Sequence, residues 1–274
     1  MNIVWALLIT AGACAVTVTA MLAVRRRAPE GSYFSDGDRA AGVFGVLATG
    51  FSVLLGFIIF LAFTSYDQSR TGAETEALVV SQQVETAQFF PVEARQRLTG
   101  QLVCYARSVI QGEWKRMEDG TQRDTINPWG VALFQTLQGV KPETAAEQSA
   151  FDKWQDQTSA REEARLDRIH GAVGVIPVPL WIVLFFISGV IFVYMLFFAD
   201  SGEGAVTQGL LMGAVTSVIV VMLLLLSSLD SPFHKGVGGL RPAAMERTLR
   251  IVDDALRSTK IQLVAPCDPE GNRL

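Results

Sequence analysis

Residues 41–90 read AGVFGVLATGFSVLLGFIIFLAFTSYDQSRTGAETEALVVSQQVETAQFF. The first half is apolar, with no charge between Ala40 and Tyr66; the second is polar, and no proline interrupts the run until Pro91. Along it, positions in steps of four and three can be read as an inner seam: Gly45, Thr49, Ser52, Gly56, Ile59, Phe63, Tyr66, Arg70, Ala73, Ala77, Val80, Val84 and Ala87. That alternation marks one helix held against neighbours. At about 1.5 Å per residue, about 50 residues make roughly 75 Å of helix, more than twice a hydrocarbon core of about 30 Å. The expectation is one unbroken helix that crosses a bilayer in residues 41–65 and continues into water.

The totals agree with a membrane chain. Half of the 274 residues are hydrophobic, only 18% are charged, and the mean hydropathy is +0.31; soluble domains carry about a quarter charged residues. Three cysteines and two histidines are too few for a disulfide scaffold or a zinc finger. A net charge of −4 gives no case for nucleic acid as a partner.

Residues 3–24 are uncharged and long enough to span. No basic segment precedes them, as a cleaved leader would want, and Arg25, Arg26 and Arg27 follow instead, so a retained first membrane helix is expected. With its basic loop it makes up residues 1–40. Residues 66–174 read as a helical extramembrane domain. A helix starts at Pro91 with an apolar face of Leu98, Leu102, Ala106, Val109 and Met117. A loop, DGTQRDTINPWG, and a short helix, VALFQTLQGV, follow, and Pro142 opens a long polar helix. Residues 175–229 hold two further uncharged stretches separated by the turn DSGEG. Residues 230–274 form a tail with a helix beginning AAMERTLR and an end, 263–274, that is expected to fray. The fold class is thus all-α: four membrane helices in two hairpins, the second helix extended into the helical domain. Arg25, Arg26, Arg27 and Arg39 lie in one short loop and no basic residue in 199–207, which favours cytoplasmic loops and an outside domain. Arg161, Arg165, Arg168, Lys235 and Arg241 flank the membrane on the other side and argue the reverse.

Several landmarks occur in a fixed order: GFSVLLGFIIFLAFTSYDQSR followed by Glu76-Ala77, YARSVIQGEW at 105–114, LQGVKPETAAEQSAF at 137–151, PLWIVLFFISGV, and LDSPFHKGVGGLRP. In this order they resemble the bacterial bestrophin-like domain family over residues 40–256. The Asp-x-Pro-Phe element, Asp230-Ser231-Pro232-Phe233, is the most specific part; Gly236 follows it one residue later than the usual spacing. The resemblance implies a remote relation to bestrophins, which are oligomeric anion channels. It further implies a pore lined by the second membrane helix, and a helical domain in the cytosol, opposite to the arginine count.

Candidate functional residues follow. The stripe Gly45, Thr49, Ser52 and Gly56 suits close helix packing or a pore lining, with Ile59 and Phe63 as a hydrophobic neck. Arg70 can snorkel to headgroups or ring a pore mouth and attract small anions; Glu76 lies beyond it on the same helix. Asp230, Pro232 and Phe233 end the last membrane helix, Phe233 as an interface anchor and Asp230 paired to Arg70 or Arg241. Cys104 and Cys267 are expected as free thiols, unless an oxidising compartment lets them pair; Cys14 packs within the first helix. His170 and His234 make no metal site. No nucleophile elbow, phosphate loop or zinc-protease signature is present, so no catalytic residue, metal or cofactor is expected. Two functions remain open: a homo-oligomeric passive ion channel in a bacterial plasma (inner) membrane, or a non-conducting scaffold or sensor whose helical domain binds a partner.

Overall fold

The computed structural model describes residues 3–121, 125–258 and 264–274. Parts of the expected loop (122–124) and of the tail helix (259–263) lie outside the described residues. The described chain is helical throughout apart from loops and one isolated bridge pairing Cys267 with Arg273. Among the described residues, four helices are long and apolar enough to cross a membrane. They are α1 (Ile3–Arg25), α2 (Gly37–Thr86), α7 (Val178–Phe197) and α8 (Ala205–Asp230). Between them lie α3 (Val92–Arg107), α4 (Trp114–Glu118), α5 (Pro128–Gln138) and α6 (Ala145–His170); α9 (Ala243–Ser258) follows α8.

The chain divides into two compact units, and α2 contributes residues 37–64 to one and 65–86 to the other without interruption. The first unit comprises residues 1–64, 174–231 and 235–238. Its core joins Phe51, Leu55, Ile58 and Ala62 of α2 to Leu184 and Ile191 of α7 and Ile219, Leu223 and Leu226 of α8. Helix α1 takes α8 as a packing partner. Small residues explain the choice: Gly209 and Gly213 leave room for Val18, and such spacing lets helices approach where lipid supplies no hydrophobic drive. Thr17 and Thr216 share a hydroxyl hydrogen bond of 2.9 Å across the same seam.

The second unit comprises 65–173, 232–234 and 239–274. Its core holds Leu98, Leu102, Tyr105, Trp114, Trp129 and Trp154, among others. The helix expected over 91–118 is α3 and α4 joined by a π-helical turn, Ser108–Glu113. Asn127 caps α5, its side chain accepting from the Trp129 N–H, with Pro128 in the first turn. The long polar helix starts at Ala145 and not at Pro142, because Thr144 and Glu147 form a reciprocal capping box.

Two expectations about the tail need correction. Cys104 and Cys267 are joined in a disulfide across 163 residues. The end of the chain is also held, not frayed: the Trp129 indole N–H donates to the Gly271 carbonyl at 2.7 Å, and Arg273 donates to the Pro128 carbonyl at 3.1 Å. Gly271 has φ +84° and lies against the Ser108 backbone, so no side chain fits there.

Helices α2 and α6 meet at Gly72, where a Cβ would stand 2.5 Å from the Arg168 nitrogen and 2.7 Å from the Ala164 carbonyl. Helix propensity alone favours alanine by about 1 kcal/mol. The neighbours are backbone atoms and cannot swing aside, so overpacking of about 1–3 kcal/mol dominates. Gly72→Ala is expected to lower the thermal midpoint in detergent by about 4 °C; an unchanged or raised midpoint would mean that the two helices move apart freely.

Candidate functional site

Burial along α2 follows a strict alternation of four and three: Phe51, Leu55, Ile58, Ala62, Ser65, Ser69, Gly72, Glu76, Val79, Gln83 and Thr86. This is the seam packed inside the chain. It lies one residue, or about 100° of helix, away from the seam expected from the sequence. In the polar half the two stripes adjoin, and Ala77, Val80 and Ala87 of the expected seam are buried as well, although Arg70 is exposed. In the apolar half they part. Gly45, Thr49, Ser52, Gly56 and Phe63 are exposed, and Ile59 is half-buried against the α7–α8 side. Among the described residues, nothing lies within 4 Å of where a Cβ on Gly45 or Gly56 would stand. Ser52 turns its hydroxyl back to the Ala48 carbonyl at 2.9 Å. With Gly56 and Ile59 it edges an apolar groove of about 690 Å³ against Val215, Val218 and Met222 of α8.

The residues expected at the membrane edge divide differently. Arg70 is exposed and pairs with Glu74 at 3.2 Å, one turn on. Arg241 is exposed. Neither holds Asp230, whose Oδ1 accepts the backbone N–H groups of Val175 (2.7 Å) and Ile176 (2.9 Å) at the start of α7. Backbone donors meet an anion without the entropy cost of a long cationic side chain, which is why no arginine is needed there. Pro232 is buried, its carbonyl accepting from the Leu240 N–H at 2.8 Å. Phe233 is 2% exposed and packs edge-on to Trp114 at 5.3 Å between ring centres, so it anchors a core and not an interface.

Glu76 departs furthest from its expected place. It is fully buried and accepts from Arg168 Nε (2.5 Å) and Nη2 (3.0 Å) and from the Tyr105 hydroxyl (2.6 Å). Arg168 also reaches Glu113 Oε2 at 2.6 Å, and Arg165 holds Glu113 Oε1 at 2.9 Å. Arg161 donates to Gln83 at 2.8 Å and stacks over the Tyr105 ring. Arg161, Arg165 and Arg168 are therefore core residues and not a membrane flank. The signal for this was their spacing, which continues the burial of Trp154 and Gln157 along one face of α6.

The charges in this cluster sustain one another. Burial opposes ionisation of Glu113, but the charges and hydrogen bonds of Arg168 and Arg165 outweigh it and hold the carboxyl below its usual value. Burial also works against the Arg168 cation, and Glu76 and Glu113 more than restore it. Tyr105 is pushed up by burial and then by Glu76, and stays a neutral donor.

The family model for the Bestrophin-like domain matches residues 11–245. The chain belongs to the bestrophin-like family. Its fold is that of solved bacterial relatives. A point variant of a bacterial bestrophin homolog from Klebsiella pneumoniae superposes with TM-score 0.67 at 13% identity, covering 93% of this chain and 100% of that one. The homolog from the same organism solved by zinc phasing gives TM-score 0.67 at 13% identity over 92% and 98%. A structure described as a membrane protein variant gives 0.66 at 10% identity over 89% and 97%. No curated protein sequence matches the chain.

In this bestrophin-like chain, removing one member of a buried ionic cluster strands the others, at about 3–5 kcal/mol. Arg168→Met is expected to cost that much in denaturant unfolding. Because Glu113 is held below its unfolded value of about 4.3, its stabilising share is complete above that pH. It is lost as pH falls through the lower folded value. Arg165→Gln is expected to shrink this acid-sensitive share, measured as the difference in thermal midpoint between about pH 6 and about pH 3; identical acid slopes in both proteins would contradict the assignment.

Proposed function

We propose that the chain is one subunit of a homo-oligomeric, passive ion channel selecting small anions in a bacterial plasma (inner) membrane. Helix α2 stands nearest the axis, and the two short loops, 25–40 and 199–207, face the cytoplasm. The observation that carries this reading is the uncovered stripe Gly45, Thr49, Ser52, Gly56 and Phe63, beside a seam that the chain packs against itself. Small residues on an open face allow neighbouring copies to approach. Membership of the bestrophin-like family supports the same reading. The apolar stretches 3–24, 41–65, 175–199 and 204–229 carry no charged side chain, which suits a pore governed by a hydrophobic neck at Ile59 and Phe63 better than a coupled transporter.

In this reading residues 1–40 hold the first membrane helix and its basic loop, 41–65 the second membrane helix and 175–229 the third and fourth, and residues 66–174 with the tail 230–274 form the extramembrane domain. The buried Cys104–Cys267 disulfide supports an outside placement of that domain, because such bonds persist in oxidising compartments. The arginines of loop 25–40 agree. Arg70 stands at the polar end of the stripe, where Glu74 tempers its charge.

Recording from the purified protein in a planar bilayer under a chloride gradient tests the proposal. Currents that reverse near the chloride equilibrium potential are expected, with Phe63→Ala increasing leak; silence with every voltage and anion would leave a non-conducting scaffold. Lys115 is exposed, so Lys115→Cys is expected to take an impermeant maleimide in intact cells. Labelling only after lysis would place the domain inside.

A further inference from the structure

A cavity of about 470 Å³ opens beside the turn that joins α7 to α8, within the first unit. Its walls are apolar, formed by Met21 of α1, Phe44 of α2, Met195 and Phe198 at the end of α7, and Met212 of α8. At one end stand three oxygen-bearing side chains, Asp200, Glu203 and Gln208. The chain uses only part of what each offers. Asp200 Oδ1 accepts the backbone N–H groups of Gly202 at 2.7 Å and Gly31 at 3.0 Å. Gln208 Nε2 donates to the Asp200 carbonyl at 3.1 Å and to Glu203 Oε2 at 3.2 Å. Both partners are acceptors, which fixes the amide orientation and leaves Oε1 as the unused atom. Gln208 is 4% exposed, and its Oε1 is buried without a partner.

A buried carbonyl oxygen left unmade is costly and asks for a donor. The Gly202 and Gly31 N–H groups hold the Asp200 carboxyl below its usual value, so it is ionised at neutral pH. Arg25 lies close, but its guanidinium donates to the backbone carbonyls of Ser201 and Glu203 and not to either carboxylate. Two carboxylates and a carbonyl against one arginine leave the polar end net negative and rich in acceptors. Among the described residues no cluster of histidine, cysteine and acidic side chains fits a metal ion. A primary ammonium carries one positive charge and three N–H donors, the number of acceptors on offer, and an attached apolar chain suits the walls.

We propose that this cavity binds a primary ammonium group carried on an apolar chain, with Asp200, Glu203 and Gln208 as its acceptors. The source is either an aminophospholipid headgroup of the surrounding bilayer or a free amphiphilic amine. The site is independent of whether the chain conducts.

The test uses the full chain in phosphatidylcholine nanodiscs, with octylammonium and octyltrimethylammonium as probes. The two share charge and chain, and only the first has N–H donors. Octylammonium is expected to raise the thermal midpoint by about 3 °C or more near saturation, and octyltrimethylammonium to leave it unchanged. Glu203→Gln keeps the shape of an exposed side chain and is expected to weaken the octylammonium effect about 10-fold, as is Gln208→Leu. Native mass spectrometry of protein from discs containing phosphatidylethanolamine separates the sources: retained lipid, lost in Glu203→Gln, identifies a headgroup site, and an octylammonium shift without retained lipid identifies a free amine. Equal shifts from both probes, a Glu203→Gln response equal to that of the unaltered chain, or no octylammonium shift together with no retained lipid would overturn the assignment.

Discussion

The phase of α2 constrains everything around it. One uninterrupted helix carries its packed seam from Phe51 to Thr86, so its apolar and polar halves cannot choose their faces independently. In the lipid-length half the seam offers Phe51, Leu55, Ile58 and Ala62 to α7 and α8. In the polar half the same alternation places Ser69, Gly72, Glu76 and Gln83 inward. Once those positions are fixed, the next stripe round, from Gly45 to Phe63, is left exposed except at Ile59, which is half-buried on the α7–α8 side. The open stripe is a consequence of the seam and not a separate feature.

The polar half needs a partner for what that phase buries. A carboxylate at position 76 enters the core, and the core answers with Arg168, whose other side is met by Glu113, itself held by Arg165. The energy of burying such charges roughly cancels against their attraction, so the cluster adds little net stability over an apolar filling. Its effect is on geometry: the short bonds tie α2, α6 and the π-helical turn of residues 108–113 at fixed offsets. Gly72 serves the same contact by letting α6 approach the α2 backbone. The disulfide then fastens the tail to α3, and Trp129 and Arg273 hold it along α5.

Much of this was legible in the residues. Four uncharged stretches give the four apolar helices, and the run without proline gives the length of α2. The landmarks around YARSVIQGEW and the Asp-Ser-Pro-Phe turn pointed to the family that matches residues 11–245. What the residues leave open is which stripe packs within the chain. In a stretch rich in Gly, Ala, Val and Ser, two neighbouring stripes both obey the heptad spacing, and hydrophobicity alone favours the one without Glu76 and Gln83. Only the long-range partners Arg161, Arg165 and Arg168 make the polar stripe the buried one, and no local pattern announces a charge that is paired 92 residues away. The partners of Asp230 are hidden from sequence for a related reason: they are backbone N–H groups, which sequence does not distinguish by residue type. The disulfide was open in sequence because pairing depends on compartment and on a tail path that composition suggested was loose.

The central claim is that the stripe left open on α2 is covered by other copies of the chain. Oxidative cross-linking of Ser52→Cys in native membranes, with Cys14 replaced by alanine, tests it most directly. A dimer band that reverts on reduction, and is absent for Ile58→Cys on the packed seam, is the result this account predicts. Monomer alone at Thr49→Cys, Ser52→Cys and Gly56→Cys would contradict it and leave the stripe facing lipid.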